Sequence, residues 1–193
     1  MKQDLSKILR ILSLIAGLLL LPAIFLPLWR IDLIAPQYPE GLYLQIYASK
    51  LGGDVQIING LNHYIGMREL HADDFVEFKV LPFIFGFFAL MGFVTAWLNR
   101  KILFLLFSFA YISFCLIAMF DFYRWEYDYG HNLNPKAAIQ VPGMAYQPPL
   151  IGFKQLLNFG AYSFPDIGGY LLTTTAVLLV IGLWLVLKPQ RRT

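Results

Sequence analysis

The chain is poor in charge and has almost no cysteine. Of its 193 residues, 14% are charged and 58% hydrophobic. Soluble domains carry roughly 25% charged residues, so an ordinary soluble fold is excluded. A single cysteine, Cys115, excludes a disulfide within the chain, and any segment outside a membrane must be held by packing. Cys115 lies in an apolar run and reads as a small packing residue. Catalytic signatures are missing too: there is no nucleophile elbow, P-loop or dinucleotide fingerprint. Tyr38, Glu40, Asp54 and Tyr64 have no visible acid–base partners, so the chain reads as a non-enzyme. No basic patch stands away from the ends of the apolar runs, which excludes a nucleic-acid footprint. No acid or histidine falls at mid-depth in those runs, which argues against a proton-coupled transporter, a channel or a permease. A histidine pair at haem spacing is also absent from them, which counts against a quinol-oxidising cytochrome.

What the chain has is long apolar runs. Four of about 20 residues, Ile8–Leu28, Val80–Leu98, Ile102–Phe120 and Gly169–Leu187, match the length needed to cross a hydrocarbon core about 30 Å thick. The first follows Lys2, Lys7 and Arg10 as a signal peptide would. It is too long for that, and Leu28-Trp29-Arg30 is no small-residue cleavage site, so a retained helix is expected. Eight of the fifteen Lys and Arg lie in the N-terminal segment, the Arg100–Lys101 turn and the tail, with Asp4 as their only acid. The two long segments, 29–79 and 121–168, hold the other eleven acids. By the positive-inside rule both termini face the cytoplasm and both long segments face out. The expected fold is a single membrane domain over 1–193 in a bacterial inner membrane: an all-α, multi-pass protein of four transmembrane helices, with the lipid bilayer as its first partner. A small extracytoplasmic α+β cap is expected from the two loops.

Within the first loop, Leu42, Leu44 and Ile46 alternate with Tyr43, Gln45 and Tyr47, which is strand periodicity. Gly52-Gly53-Asp54 supplies a reversal, and Val55 to Ile58 can return as a second strand of a short hairpin. Such a hairpin is marginal alone and is expected to pack on the second loop. Asn59 and Asn62 are plausible caps for a short helix carrying His63, Met67 and His71. Spaced i, i+4 and i+8, these three would share one face; a turn that merely clusters them is the competing arrangement. Asp73 and Asp74 suit the start of the second membrane helix. The third helix is expected to end at Phe120 in an aromatic belt crossed with charges, where Asp121 and Arg124 form an i, i+3 ion pair.

All three histidines (His63, His71, His131) and two methionines (Met67, Met144) fall in the long segments. Imidazole and thioether suit a soft or borderline metal such as copper, which makes these five candidate ligands of a transient copper site. The bland alternative is that the histidines hydrogen-bond within a compact cap and Met67 fills a core gap. For the acids Asp73, Asp74 and Glu77 the corresponding reading is caps and a solvated rim. Trp125, Tyr127, Tyr129 and Gln147, in the belt and the proline-rich loop, are candidate partner-docking residues.

Four runs carry a resemblance. They are Ala35-Pro36-Gln37-Tyr38-Pro39-Glu40-Gly41-Leu42, Asn59 to Met67 (N-G-L-N-H-Y-I-G-M), Tyr127 to Leu133 (Y-D-Y-G-H-N-L) and Val141 to Leu150 (V-P-G-M-A-Y-Q-P-P-L). Together they resemble small four-helix membrane proteins of the NosB type, found beside nitrous oxide reductase genes. The resemblance spans the chain, but its distinctive part is the two loops. It implies an inner-membrane accessory protein that assists maturation or copper supply of periplasmic nitrous oxide reductase. The reductase or its maturation proteins are then partners, and His63, Met67, His71, His131 and Met144 are acceptor ligands rather than a catalytic centre. The alternative is a non-metal scaffold or docking subunit for an electron-transfer or ABC-type complex.

Overall fold

The computed structural model describes residues 2–188. In chain order these form α1 (Lys2–Ala23), β1 (Trp29–Ala35), β2 (Tyr38–Ile46), β3 (Leu51–Gly53), α2 (Val55–Ile65), a single 3-10 turn (Ala72–Asp74), α3 (Glu77–Leu98), α4 (Lys101–His131), β4 (Gly152–Leu156), β5 (Phe159–Pro165) and α5 (Ile167–Leu187). Helices α1, α3, α4 and α5 are long and apolar enough to cross a membrane. Their outer faces carry large bare side chains: Phe83 is 79% exposed and Trp97 80%. In water such a surface would drive association; against acyl chains it is ordinary.

α1 is the central helix and packs against both α3 and α5. Its approach to α3 is close enough that a Cβ at Gly92 would lie 2.9 Å from the backbone of Gly17 and Ser13. Hydrogen is the only side chain that fits there, as in other tightly crossed membrane helices. The remaining core is aromatic. Phe88, Phe107 and Tyr111 are buried in a core shared by α1, α3, α4 and α5, and the Tyr111 hydroxyl donates to the Leu172 carbonyl at 3.0 Å. Several helix hydroxyls are satisfied locally, although the buried Ser108 hydroxyl has no partner among the described residues. Ser13, Thr173 and Thr175 each donate to the carbonyl four residues earlier at 2.8–2.9 Å, the back-bonding usual for such residues in helices. Cys115 is half-buried against this core.

At one end of the helices stands a five-stranded antiparallel sheet of order β3-β2-β1-β5-β4. Its central strand β1 takes β2 on one side (Ile31↔Leu44) and β5 on the other (Ile31↔Ser163). The Trp29 indole donates to Ser163 Oγ at 2.8 Å. Asp166 accepts from the first amide of α5 at 2.7 Å, an N-cap, and its other oxygen accepts from Gln45 at 2.9 Å. The sheet, α2 and the last turns of α4 share a second core of Ile31, Leu44, Ile58, Leu70, Phe75 and Tyr129, which we call the cap.

Five expectations are corrected. β2 does return in a short hairpin, but with β3 (Leu51–Gly53) through a turn over residues 47–50, so Gly52-Gly53 lies in the strand and not at the reversal; β2 also pairs with β1 across Pro36-Gln37, and β4 and β5 add residues 152–165. Val55–Ile58 is not a strand but the first turn of α2. Its short apolar run fits either period, and Ile58 and Asn62, one turn apart, both face inward. That helix then stops at Ile65, where Gly66 takes a left-handed φ of 83°, a glycine stop signal. Met67 and His71 therefore lie beyond the helix, and His63, Met67 and His71 do not share a helical face. Finally, α4 continues through His131, where an end at Phe120 was expected. At 1.5 Å per residue it is about 46 Å long, so its last turns stand clear of any hydrocarbon core and enter the cap. α1 ends earlier than expected, at Ala23, one residue beyond Pro22 and ahead of Pro27, which disfavours helix at the residue before it.

Candidate functional site

The cap encloses a cavity of about 90 Å³ between the inner face of the sheet, α2 and α4. Its wall is apolar, with Ile31, Leu44, Ile58 and Met67 among the lining side chains. The exceptions include Asn62, which donates to the Arg68 carbonyl at 3.4 Å, and Glu126. Glu126 has no exposed surface, and neither of its carboxyl oxygens has a hydrogen-bond partner. Burial pushes its pKa from 4.5 up to about 8, with the attraction of Lys154 working the other way. At neutral pH Glu126 is therefore mostly a neutral carboxylic acid, able both to donate and to accept a hydrogen bond. Trp125 and Tyr146 line the same cavity, and the indole N–H and the phenolic hydroxyl are likewise unpartnered. Uncompensated polar groups are rare in protein interiors, and three of them share one small space here.

The extension of α4 puts Glu126 there. Once the helix runs past Phe120, Glu126, Tyr129 and Gly130 are its buried face, at the i, i+3, i+4 spacing of one stripe. Trp125 rests on Phe75 at 5.0 Å and on Tyr129 at 4.6 Å. Over the top cross the other loop segments: Tyr146 N donates to Gly130 O at 2.9 Å, Asn134 N to Gly66 O at 2.8 Å and Ile139 N to Tyr64 O at 2.9 Å. Arg68 pairs with Asp128 and lies 4.6 Å over the Tyr129 ring. Asn59, expected as a helix cap, instead faces inward and hydrogen-bonds the backbone of Leu70.

The candidate copper ligands are spread over several elements. His63 is exposed on the last turn of α2 and sits edge-on to Tyr64. Met67 is half-buried in the cap core. His71 is exposed and its Nε2 lies 3.0 Å from Glu69. His131 stacks on Tyr127 with ring centres 3.8 Å apart, and its Nδ1 donates to the Tyr127 carbonyl at 2.9 Å. Met144 is half-buried in the loop that crosses the cap. Among the described residues no group of three His, Cys, Asp or Glu side chains is placed to hold a metal ion. Of the candidate docking residues, Trp125 and Tyr129 turn into the cap core, while Tyr127 is exposed and Gln147 half-buried. The Gln147 carbonyl accepts from Lys154 at 3.0 Å. Asp121 and Arg124 form the expected ion pair at 2.8 Å.

Glu126 and Tyr146 are the site residues that sequence reading passed over. The signal for Glu126 was present in its helical spacing to Tyr129 and Gly130, but it counts only once the helix is carried beyond the apolar run. Nothing near Tyr146 in the chain indicates what it faces. Compared with known proteins, the chain matches no family model, no curated protein and no solved structure.

Proposed function

We propose that the protein is a non-enzymatic accessory factor of the bacterial inner membrane, serving the maturation or copper supply of a periplasmic nitrous oxide reductase. Both termini lie in the cytoplasm and the cap faces the periplasm, as the distribution of Lys and Arg requires. One observation carries the reading. The four runs that resemble NosB-type proteins pack together in the cap: Gly66 of the second bonds to Asn134 just after the third, and Gly130 of the third to Tyr146 of the fourth. The β1–β2 hairpin that holds the first run supplies Ile31 and Leu44 to the same cavity wall. The parts that distinguish the chain from a plain bundle thus make one exposed unit, suited to meeting a partner.

Within that role the cap acts by docking rather than by holding copper, and the placement of the imidazoles favours this. His71 is engaged by Glu69 and His131 by Tyr127, and Met67 belongs to the core. Tyr127 with His131 offers an exposed aromatic pair at the helix end. The test is a strain lacking the gene, in which reductase activity and copper content are measured after complementation. Loss of activity that is restored by wild type and by His63→Ala/Met67→Ala, but not by Tyr127→Ala, supports docking. Failure of His63→Ala/Met67→Ala alone would turn the reading to copper transfer. An unaffected deletion strain would remove the accessory role altogether.

A further inference from the structure

The end of the helices away from the cap holds a second, chemically different pocket. It measures about 330 Å³ and lies between α1, the α3–α4 turn and α5. Arg10, Arg100 and Lys101 line it. All three are exposed, and among the described residues none has an ion-pair or hydrogen-bond partner for its side chain. Asp4 is the only acid in this part of the chain. Asn99, held in a left-handed conformation at the end of α3, donates to Ser6 Oγ at 2.7 Å and so ties the turn to α1 along one side of the pocket. The amino end of α4 also opens here: Arg100 precedes its first turn without a side-chain cap, and both Lys101 and Phe104 are lining residues. Three unpaired cations and the positive end of a 31-residue helix thus face one concave space. Its floor, at Leu9, Phe104 and Val186, continues into the apolar helix surfaces.

We propose that this pocket binds the phosphate of an anionic phospholipid head group, with the guanidinium groups of Arg10 and Arg100 and the Lys101 ammonium around the phosphate and the acyl chains running down the apolar faces of α1 and α4. Guanidinium suits phosphate because its planar N–H fork can bind two oxygens at once. A basic pocket between helices at the membrane surface is a known way of holding such head groups. The positive-inside rule explains why cations lie at this end, but not why three of them converge on one pocket while Lys7 and Lys188 stay outside it.

The full-length protein is placed in nanodiscs of phosphatidylcholine alone, or of phosphatidylcholine with added phosphatidylglycerol, and its thermal midpoint is measured. A ligand that binds only the folded state raises the midpoint, so the wild type is expected to melt several degrees higher with phosphatidylglycerol. Arg10→Gln/Arg100→Gln is expected to lose that shift and Arg10→Lys/Arg100→Lys to keep part of it. Lys7→Gln/Lys188→Gln, which removes the same charge outside the pocket, is expected to keep all of it. Equal loss in both glutamine variants, or no shift in wild type, would overturn the site in favour of diffuse surface attraction. The same rise produced by inorganic phosphate in phosphatidylcholine discs would overturn the lipid as the source of the phosphate.

Discussion

Asn59 holds the backbone of Leu70 by both ends of its side-chain amide. The Leu70 amide donates to Oδ1 at 2.7 Å, and Nδ2 donates to the Leu70 carbonyl at 3.1 Å. Both residues are buried, so this pairing replaces the water that those backbone groups lose. It fixes the segment between α2 and α3, which has little regular structure of its own. Asn59→Ala leaves two buried groups unpaired at about 1–3 kcal/mol each. We expect a lower thermal midpoint and faster amide exchange at Leu70, with Asn59→Asp intermediate because it keeps the acceptor. Unchanged exchange at Leu70 would show that the pairing contributes nothing.

Glu126 makes stability depend on pH in a definite direction. Its pKa in the fold is about 8 against an ordinary 4.5, so between those values the folded state keeps a proton that the unfolded chain has released. Stability from this group is complete below about pH 4.5, falls as the pH rises to about 8 and is level above that. The slope inside the window is at most about 1.4 kcal/mol per pH unit. Glu126→Gln keeps the shape and removes the titration. The variant is expected to match wild type at low pH and to melt increasingly higher than it toward pH 8. Parallel pH profiles for the two proteins would mean that Glu126 ionises freely.

Gly92 sets the spacing of α1 and α3. Adding one methyl group in Gly92→Ala forces backbone against backbone, and overpacking of this kind costs about 1–3 kcal/mol. Gly86, on the same helix, has nothing within 4 Å of where a Cβ would stand, so Gly86→Ala is the matched control. A detergent melt should separate the two by several degrees; equal midpoints would mean that the helices part without cost.

Membrane orientation is open to direct labelling. In a Cys115→Ser background, a single cysteine replacing exposed Lys136 of the cap loop should react with a membrane-impermeant maleimide in intact spheroplasts. One replacing Lys101 should react only after lysis. The opposite pattern would invert the topology and remove the periplasmic role proposed for the cap.

The four long helices were legible because apolar length is a signal carried by composition alone, and β2 because Leu42, Leu44 and Ile46 alternate cleanly. β1 was not legible. Trp29-Arg30 has the composition of an interfacial anchor, and what makes it a strand is pairing with β2 on one side and with β5, more than 120 residues later, on the other. Val55–Ile58 was ambiguous because four apolar-rich residues fit two periods, and only the continuation to Ile65 decides between them. The same limit hid the cavity. Glu126 sits among Trp125, Tyr127 and Asp128 in the manner of a solvated belt, and the cavity that it lines is shared with Tyr146, Leu156 and Phe159, which the fold and not the sequence brings there.

The central position of β1 bears on how the protein is made. Trp29 and Ser163, bonded side chain to side chain, are 134 residues apart, and α3 and α4 lie between them in the chain. Contacts this remote form late. A ribosome that has delivered α1 and strands β1 to β3 leaves one side of β1 unpaired, and that side stays open until β5 emerges, after the third long helix. A β1 paired on both sides thus marks a chain whose last helix is next to be inserted. A truncated or stalled product exposes a bare strand edge, the kind of surface on which quality-control proteases and aggregation act.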